Sequence, residues 1–359
     1  MPGIITHKKI FNDSLKLLLG KKNRSHLTRS IVALFALPEH MRASLFGLLG
    51  PNIFDYIPTP IGKKQYGHPA SFELHDKGAP VFIQSMMNRI NEYEDKNNEW
   101  SALQRAYLYG LLCHMAADET LHPYIFYCSG FPDSAREINH YREQNLLFQY
   151  NMDNYFMYMA DDKDELNFSI EDMIPLVKNR RAAGAPIKDL ILYSLSENFP
   201  ELYKKVVWFG KKKDRQNHAE TFGWLDIIPP IIVKVQNLKR NYNEHVRKIT
   251  REIRYRNFLY SDFLVQYQRP RKTDPHYINL HRESWINPAG SSAIRYESVL
   301  QLCRTACEKT VNLWEEAENS LYAKPNEIAY IKGLNAYTGS AEEGYESMKR
   351  KNPVKLKPY

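Results

Sequence analysis

Gly110-Leu111-Leu112-Cys113-His114-Met115-Ala116-Ala117-Asp118-Glu119-Thr120-Leu121-His122-Pro123 sets His114, Asp118 and His122 four residues apart in a run of mostly small and apolar side chains. At 3.6 residues per turn, positions i, i+4 and i+8 of an α-helix fall on one slowly drifting face. The run is the centre of the longest apolar helical signal in the chain, residues 100–127. His114, Asp118 and His122 would therefore sit on an otherwise buried helix, which is costly unless something pairs with them. Two neutral imidazoles and a carboxylate on one stripe are a ligand set for a divalent transition metal, zinc above all. The same residues also fit a hydrogen-bonded core network without an ion. The spacing alone leaves both readings open.

Helical periodicity continues on either side. Apolar residues recur at three and four in 10–19 (Ile10, Leu15, Leu17, Leu18), 30–37, 81–90 and 146–159. Helix starts are expected at Asn12-Asp13-Ser14 and at Ser169 ahead of Glu171 and Asp172. Proline and glycine place loops at 50–67, 129–134 and 269–290. Alternating strand patterns are scarce, so the expected fold is all-α, a multi-helix domain with a helical C-terminal extension. A composition shift near 161–164 divides the chain softly. Residues 1–160 carry most candidate ligands, 161–340 form a basic helical region packed on them, and the basic, proline-containing segment 341–359 is expected to be a flexible tail.

The 359 residues are 43% hydrophobic and 25% charged, a balance that suits a folded globular protein rather than a disordered one. No stretch of about 18 apolar residues is present, so no membrane-spanning helix is expected. The start, Met1-Pro2-Gly3-Ile4-Ile5-Thr6-His7-Lys8-Lys9, lacks the apolar core and cleavage site of a signal peptide, and a cytoplasmic location is expected. Cys113, Cys128, Cys303 and Cys307 form no C-x-x-C pair and read as buried free thiols. The net charge of +8 owes much to Lys239, Arg240, Arg247, Lys248, Arg251, Arg254 and Arg256. That stretch reads first as a solvated helix face and second as a surface drawn to anionic lipid headgroups. No helix-turn-helix, zinc-finger or RNA-binding signature accompanies it, which weighs against nucleic acid as a partner.

Other candidate ligands follow an order: His7 near the N-terminus, Asn52 and Asp55 in Gly50-Pro51-Asn52-Ile53-Phe54-Asp55-Tyr56, His75 at the opening of the 81–90 helix region, the His114/Asp118/His122 stripe, then His140. That order resembles the zinc-dependent phospholipase C family, which includes bacterial phospholipases C and the catalytic domain of glycosylphosphatidylinositol phospholipase D. The run from His114 to His122 resembles the family's central motif in the phospholipase D-like spacing. Thr6-His7 is similar to its N-terminal histidine, Gly50-Pro51-Asn52 to its Gly-Pro-Asp turn, and His75 to its next histidine. The segment from Asn279 to Pro288, with Trp285 inside it, is similar to one found in bacterial members.

The resemblance implies an all-α fold with one to three zinc ions in a cleft, held by His7, His75, His114, Asp118, His122 and His140. It implies hydrolysis of a phospholipid or another phosphodiester by metal-activated water. Asn52 and Asp55 are the candidates for the catalytic position, where a carboxylate would take a proton from the attacking water. Two departures stand out. Asn52 replaces the family's aspartate, and an amide is a poor zinc ligand and no base. His140 has Gln144, not an acid, four residues on. These departures motivate the alternative of a non-catalytic member that uses a metal for stability and acts as a binding or membrane-surface protein. The loop holding His281, Arg282 and Glu283 reads as a packing loop first and as a cover over the site second.

Overall fold

The computed structural model describes residues 3–22, 25–57, 69–133, 137–160, 166, 184–209, 221–228, 275–290, 292–322, 331–340 and 342–354. The fold is all-α. The helices are α1 (Ile4–Gly20), α2 (His26–Ala36), α3 (Pro38–Gly47), α4 (Pro69–His75), α5 (Ala79–Asn91), α6 (Glu99–Ser129), α7 (Ile138–Met159), α8 (Ala185–Asn198), α9 (Pro200–Val206) and α10 (Val299–Tyr322). A 3-10 turn, Gly50–Tyr56, opens the segment expected to be a loop. Extended structure among the described residues is limited to two short antiparallel pairs. These are β1 (Val207–Phe209) with β2 (Phe222–Gly223), and β3 (Trp285–Ile286) with β4 (Ile294–Arg295).

Helix α6 is the axis of the molecule. Almost every residue from Ser101 to Ser129 is buried, as expected of a helix that is apolar on all sides. Asn98 caps its start by accepting from the Ser101 amide at 3.0 Å. Helices α1, α3, α7, α8 and α10 surround it. The approach of α3 is set by two glycines. A Cβ at Gly110 would lie 1.9 Å from the Ser44 carbonyl oxygen, and one at Gly47 2.2 Å from that of Tyr107. Only hydrogen at both positions lets the backbones meet.

The two regions expected on either side of residue 161 share one apolar core. Helix α10 packs against α1, α2 and α6, and Trp314 on it donates to the Tyr109 carbonyl at 2.8 Å. Arg105 of α6 reaches Glu318 of α10 at 2.6 Å, with both side chains buried, and Tyr109 donates to the same carboxylate. The four cysteines are buried thiols. No described helix is long and apolar enough to cross a membrane.

Three local expectations are corrected. Helix α1 begins at Ile4, so Ser14 is interior and donates to the Ile10 carbonyl at 2.7 Å instead of capping. The true cap is tertiary: Asp153 of α7 accepts from the amides of Ile5 at 3.2 Å and Thr6 at 2.9 Å. A cap supplied from 147 residues away leaves no mark in the local sequence. Next, part of the expected flexible tail is docked. Lys349 donates to Pro288, Asn352 to Tyr127 and Val354 to Cys128 through their backbones. Those bonds satisfy backbone groups in a segment that composition alone reads as loose. Finally, His75 ends α4 and does not open α5. The Ser169 start and the basic stretch 234–256 lie outside the described residues.

Candidate metal centre

The central stripe carries the site because α6 turns slowly between its polar residues. Each step of four advances about 40° round the axis, so His114 and His122 flank Asp118 on either side. Helix α1 brings His7 from the opposite wall, its Nε2 lying 3.0 Å from Asp118 Oδ1. From the end of α4, His75 Nε2 lies 3.3 Å from Asp118 Oδ2. The corresponding distances are 3.1 Å for His114 and 3.7 Å for His122. Four imidazole nitrogens thus surround one carboxylate, and all five side chains are buried.

The opposite nitrogen of every ring is anchored to a backbone carbonyl. His7 Nδ1 contacts Gly3 O at 3.1 Å, His75 Nδ1 contacts Ser71 O at 2.6 Å, and His114 Nδ1 contacts Leu48 O at 2.9 Å. His122 Nδ1 contacts the Ala336 carbonyl. A carbonyl oxygen only accepts, so each Nδ1 carries the proton. In a neutral ring Nε2 then holds a lone pair directed at Asp118, the arrangement found behind metal-bound histidines.

Electrostatics favours that state. Burial lowers the pKa of His114 to about 4, against the raising effect of Asp118, and burial likewise puts His122 well below its ordinary value. Burial alone would push Asp118 up, but the surrounding imidazoles, His114 first, hold its carboxyl well below the usual range. With His114 and His122 neutral and Asp118 ionised, their Nε2 lone pairs face a carboxylate that also only accepts. His75 Nε2 and His114 Nε2 are 3.1 Å apart, and His122 Nε2 makes no hydrogen bond among the described residues. Such a cluster is unfavourable until a cation enters it.

The spacing suits a metal. Bonds of about 2.0–2.1 Å at tetrahedral angles set ligand atoms roughly 3.3 Å apart. His75 Nε2, His114 Nε2 and Asp118 Oδ2 form a triangle with edges of 3.1, 3.1 and 3.3 Å. His7, His114 and Asp118 together make a buried group that could hold a metal ion. Gly50 permits this closeness. Its φ is +55°, in the left-handed region, and a Cβ there would lie 2.3 Å from the His114 ring.

Asn52 does not take the part of an acid. Its Nδ2 donates to Leu49 O at 3.1 Å, which fixes the amide's orientation, and lies 3.3 Å from both His75 Nε2 and His114 Nε2. Asp55 is half-buried and accepts from Ser71 Oγ at 3.1 Å, on the residue whose carbonyl anchors His75. His140 does not join the cluster: it is exposed near the start of α7, with its ring against Tyr141. Helix α7 turns Asn145, Gln149 and Asp153 inward at intervals of four, a phase that excludes position 140. Gln149 donates to Asn145, which donates to Ser129, so these two amides are satisfied by each other and by α6. Trp285 packs edge-on against Tyr124 of α6 while His281, Arg282 and Glu283 are exposed, so the late loop is a packing loop.

Two contributors had no legible signal. Tyr337 stacks on His122 with centroids 5.7 Å apart, and the Ala336 carbonyl anchors that histidine. Both belong to an unremarkable polar segment after α10.

No family model matches the chain, and no curated protein or solved structure matches it either.

Proposed function

We propose that the protein is a zinc-dependent phosphodiesterase of the phospholipase C type, acting on a phospholipid or another phosphodiester. One observation carries the reading. His114, Asp118 and His122, read from helical spacing, and His7, Asn52 and His75, picked by their resemblance to that family, converge on one buried point from four separate elements. His7, His75, His114, Asp118 and His122 would hold the metal. When bound, zinc would offset the charge of the phosphate and lower the pKa of a bound water. The chain's own residues do the rest. Backbone carbonyls keep each Nδ1 protonated, and Asp118 supplies the anionic charge at the centre. Asp55, held by Ser71 on the Asn52 turn, is the carboxylate assigned to take the proton from water.

The test is metal content and turnover on one preparation. Protein purified without added metal should carry zinc, hydrolyse a chromogenic phosphodiester, and lose both to a chelator. Less than about half an equivalent of zinc after zinc loading would rule the reading out. Asp118→Asn should abolish binding, and Asp55→Asn should remove turnover while leaving zinc in place.

A second reading, a non-catalytic protein stabilised by the metal, is favoured by the Asn52 amide. It turns N–H, not a carboxylate, toward His75 and His114. Zinc bound without turnover, with turnover gained in Asn52→Asp, would select it.

A further inference from the structure

The segment after α10 returns to the metal centre with a specific set of bonds. Asn335 is buried and donates through Nδ2 to Asp76 Oδ1 at 2.7 Å. Its own Oδ1 accepts from the amides of Tyr337 and Thr338, each at 3.0 Å, which curls the backbone about Ala336. The Ala336 amide then donates to the His75 carbonyl at 2.9 Å. That carbonyl closes α4, so it is one of the acceptors that a helix end leaves without an intrahelical donor. On its other side the Ala336 carbonyl receives the Nδ1 proton of His122. The Tyr337 ring lies 16° from parallel to His122 and 5.5 Å from the His75 centroid. A single buried residue, Ala336, thus bonds to both His75 and His122.

We propose that Asn335, Ala336 and Tyr337 are positioning residues of the metal centre, so that metal binding and docking of this segment stabilise each other. The inference rests on the metal reading above. Its physical basis is the tautomer. Ligation through Nε2 requires the proton on Nδ1, and the Ala336 carbonyl is what holds the proton of His122 there. With the segment undocked, His122 loses that acceptor and the end of α4 loses its donor. Binding free energies are reciprocal, so an ion that needs His122 in this state must in turn favour the docked segment. Asn335 sets the turn but lies outside the ring of nitrogens, which makes it the place to perturb.

The experiment is a zinc titration of the full-length, metal-stripped protein against a chromophoric chelator, paired with amide hydrogen exchange with and without zinc. Zinc should slow exchange across residues 335–339 in the wild type. Asn335→Ala should bind zinc roughly 10- to 100-fold more weakly, the usual effect of removing a group that orients a ligand. The exchange Asp76→Asn with Asn335→Asp rebuilds the amide–carboxylate bond in reverse and should recover most of the affinity. A lower melting temperature of metal-free Asn335→Ala with zinc affinity unchanged would overturn the proposal. So would zinc binding that leaves exchange at 335–339 unaltered, a measurement that needs no variant. In both cases the metal reading survives. Failure of the wild type itself to bind zinc would remove the metal reading and this inference together.

Discussion

The His7 ring lies flat on the His114 ring, with centroids 4.5 Å apart and planes 10° from parallel. The two residues sit on α1 and α6, and both turn Nε2 toward Asp118. Two imidazolium rings would repel at this distance, so the stack requires at least one neutral ring, and burial keeps His114 neutral.

Zinc should therefore stabilise the protein. At a hundred-fold excess over Kd, one site adds about 2.7 kcal/mol to the folded state. Scanning calorimetry should show the melting temperature rising with zinc and falling with chelator. His114→Ala should melt at the same temperature with or without zinc. A wild type indifferent to both additives would mean a metal-free polar network.

Acid should weaken the metal-free protein in a defined window. Burial lowers the pKa of His114 to about 4 in the folded protein, from an ordinary value of 6.5 in the unfolded chain. Between these values the unfolded chain binds more protons, so stability falls as pH drops from about 6.5 toward 4, by about 3 kcal/mol from this residue. Asp118, held well below the ordinary carboxylate value of 3.8, adds its loss only beneath that. Urea melts at several pH values would measure the slope, and His114→Gln should flatten it.

Gly50→Ala should harm the site more than an ordinary loop change. The new Cβ meets the His114 ring at 2.3 Å, from a backbone of positive φ. A cost on the order of 1–3 kcal/mol and a loss of zinc affinity are expected. Gly20→Ala, where a Cβ would meet nothing within 4 Å, is the control and should be nearly silent. Denaturant midpoints and zinc titrations of both variants decide it.

Glu318→Ala should be among the most damaging single changes away from the site. It leaves the Arg105 guanidinium buried without its carboxylate, and Tyr109 without its acceptor. Breaking a buried pair in this way costs about 3–5 kcal/mol. Replacing both partners, Arg105→Met with Glu318→Leu, should cost much less. Equal losses in the two variants, read by urea unfolding, would argue that the pair itself is stabilising.

Much of this was legible because it is local. The period of apolar residues locates α2, α5, α6 and α7, and α6 extends only one or two residues beyond the expected 100–127. The stripe of His114, Asp118 and His122 follows from helical geometry alone. The start of α1 was misplaced because its cap is Asp153, a partner no window around Ser14 contains. His140 lies apart from the cluster because the phase of α7 decides which residues face inward, and the order of histidines along the chain does not contain that phase. Ala336 acts through backbone atoms, which every residue has, so no side-chain pattern announces it.

The sequence by itself determined that the protein is helical, that α6 is buried, and that two imidazoles and a carboxylate share one face. Those properties depend on rotation per residue and on the cost of solvating apolar surface, both set within a few turns of chain. Only the tertiary structure decided that His7 and His75 reach the same carboxylate, that Asn52 turns its amide nitrogen inward, and that residues 335–337 complete the wall. These depend on how closely separate backbones approach, which Gly47, Gly50 and Gly110 permit and the packing of whole helices sets.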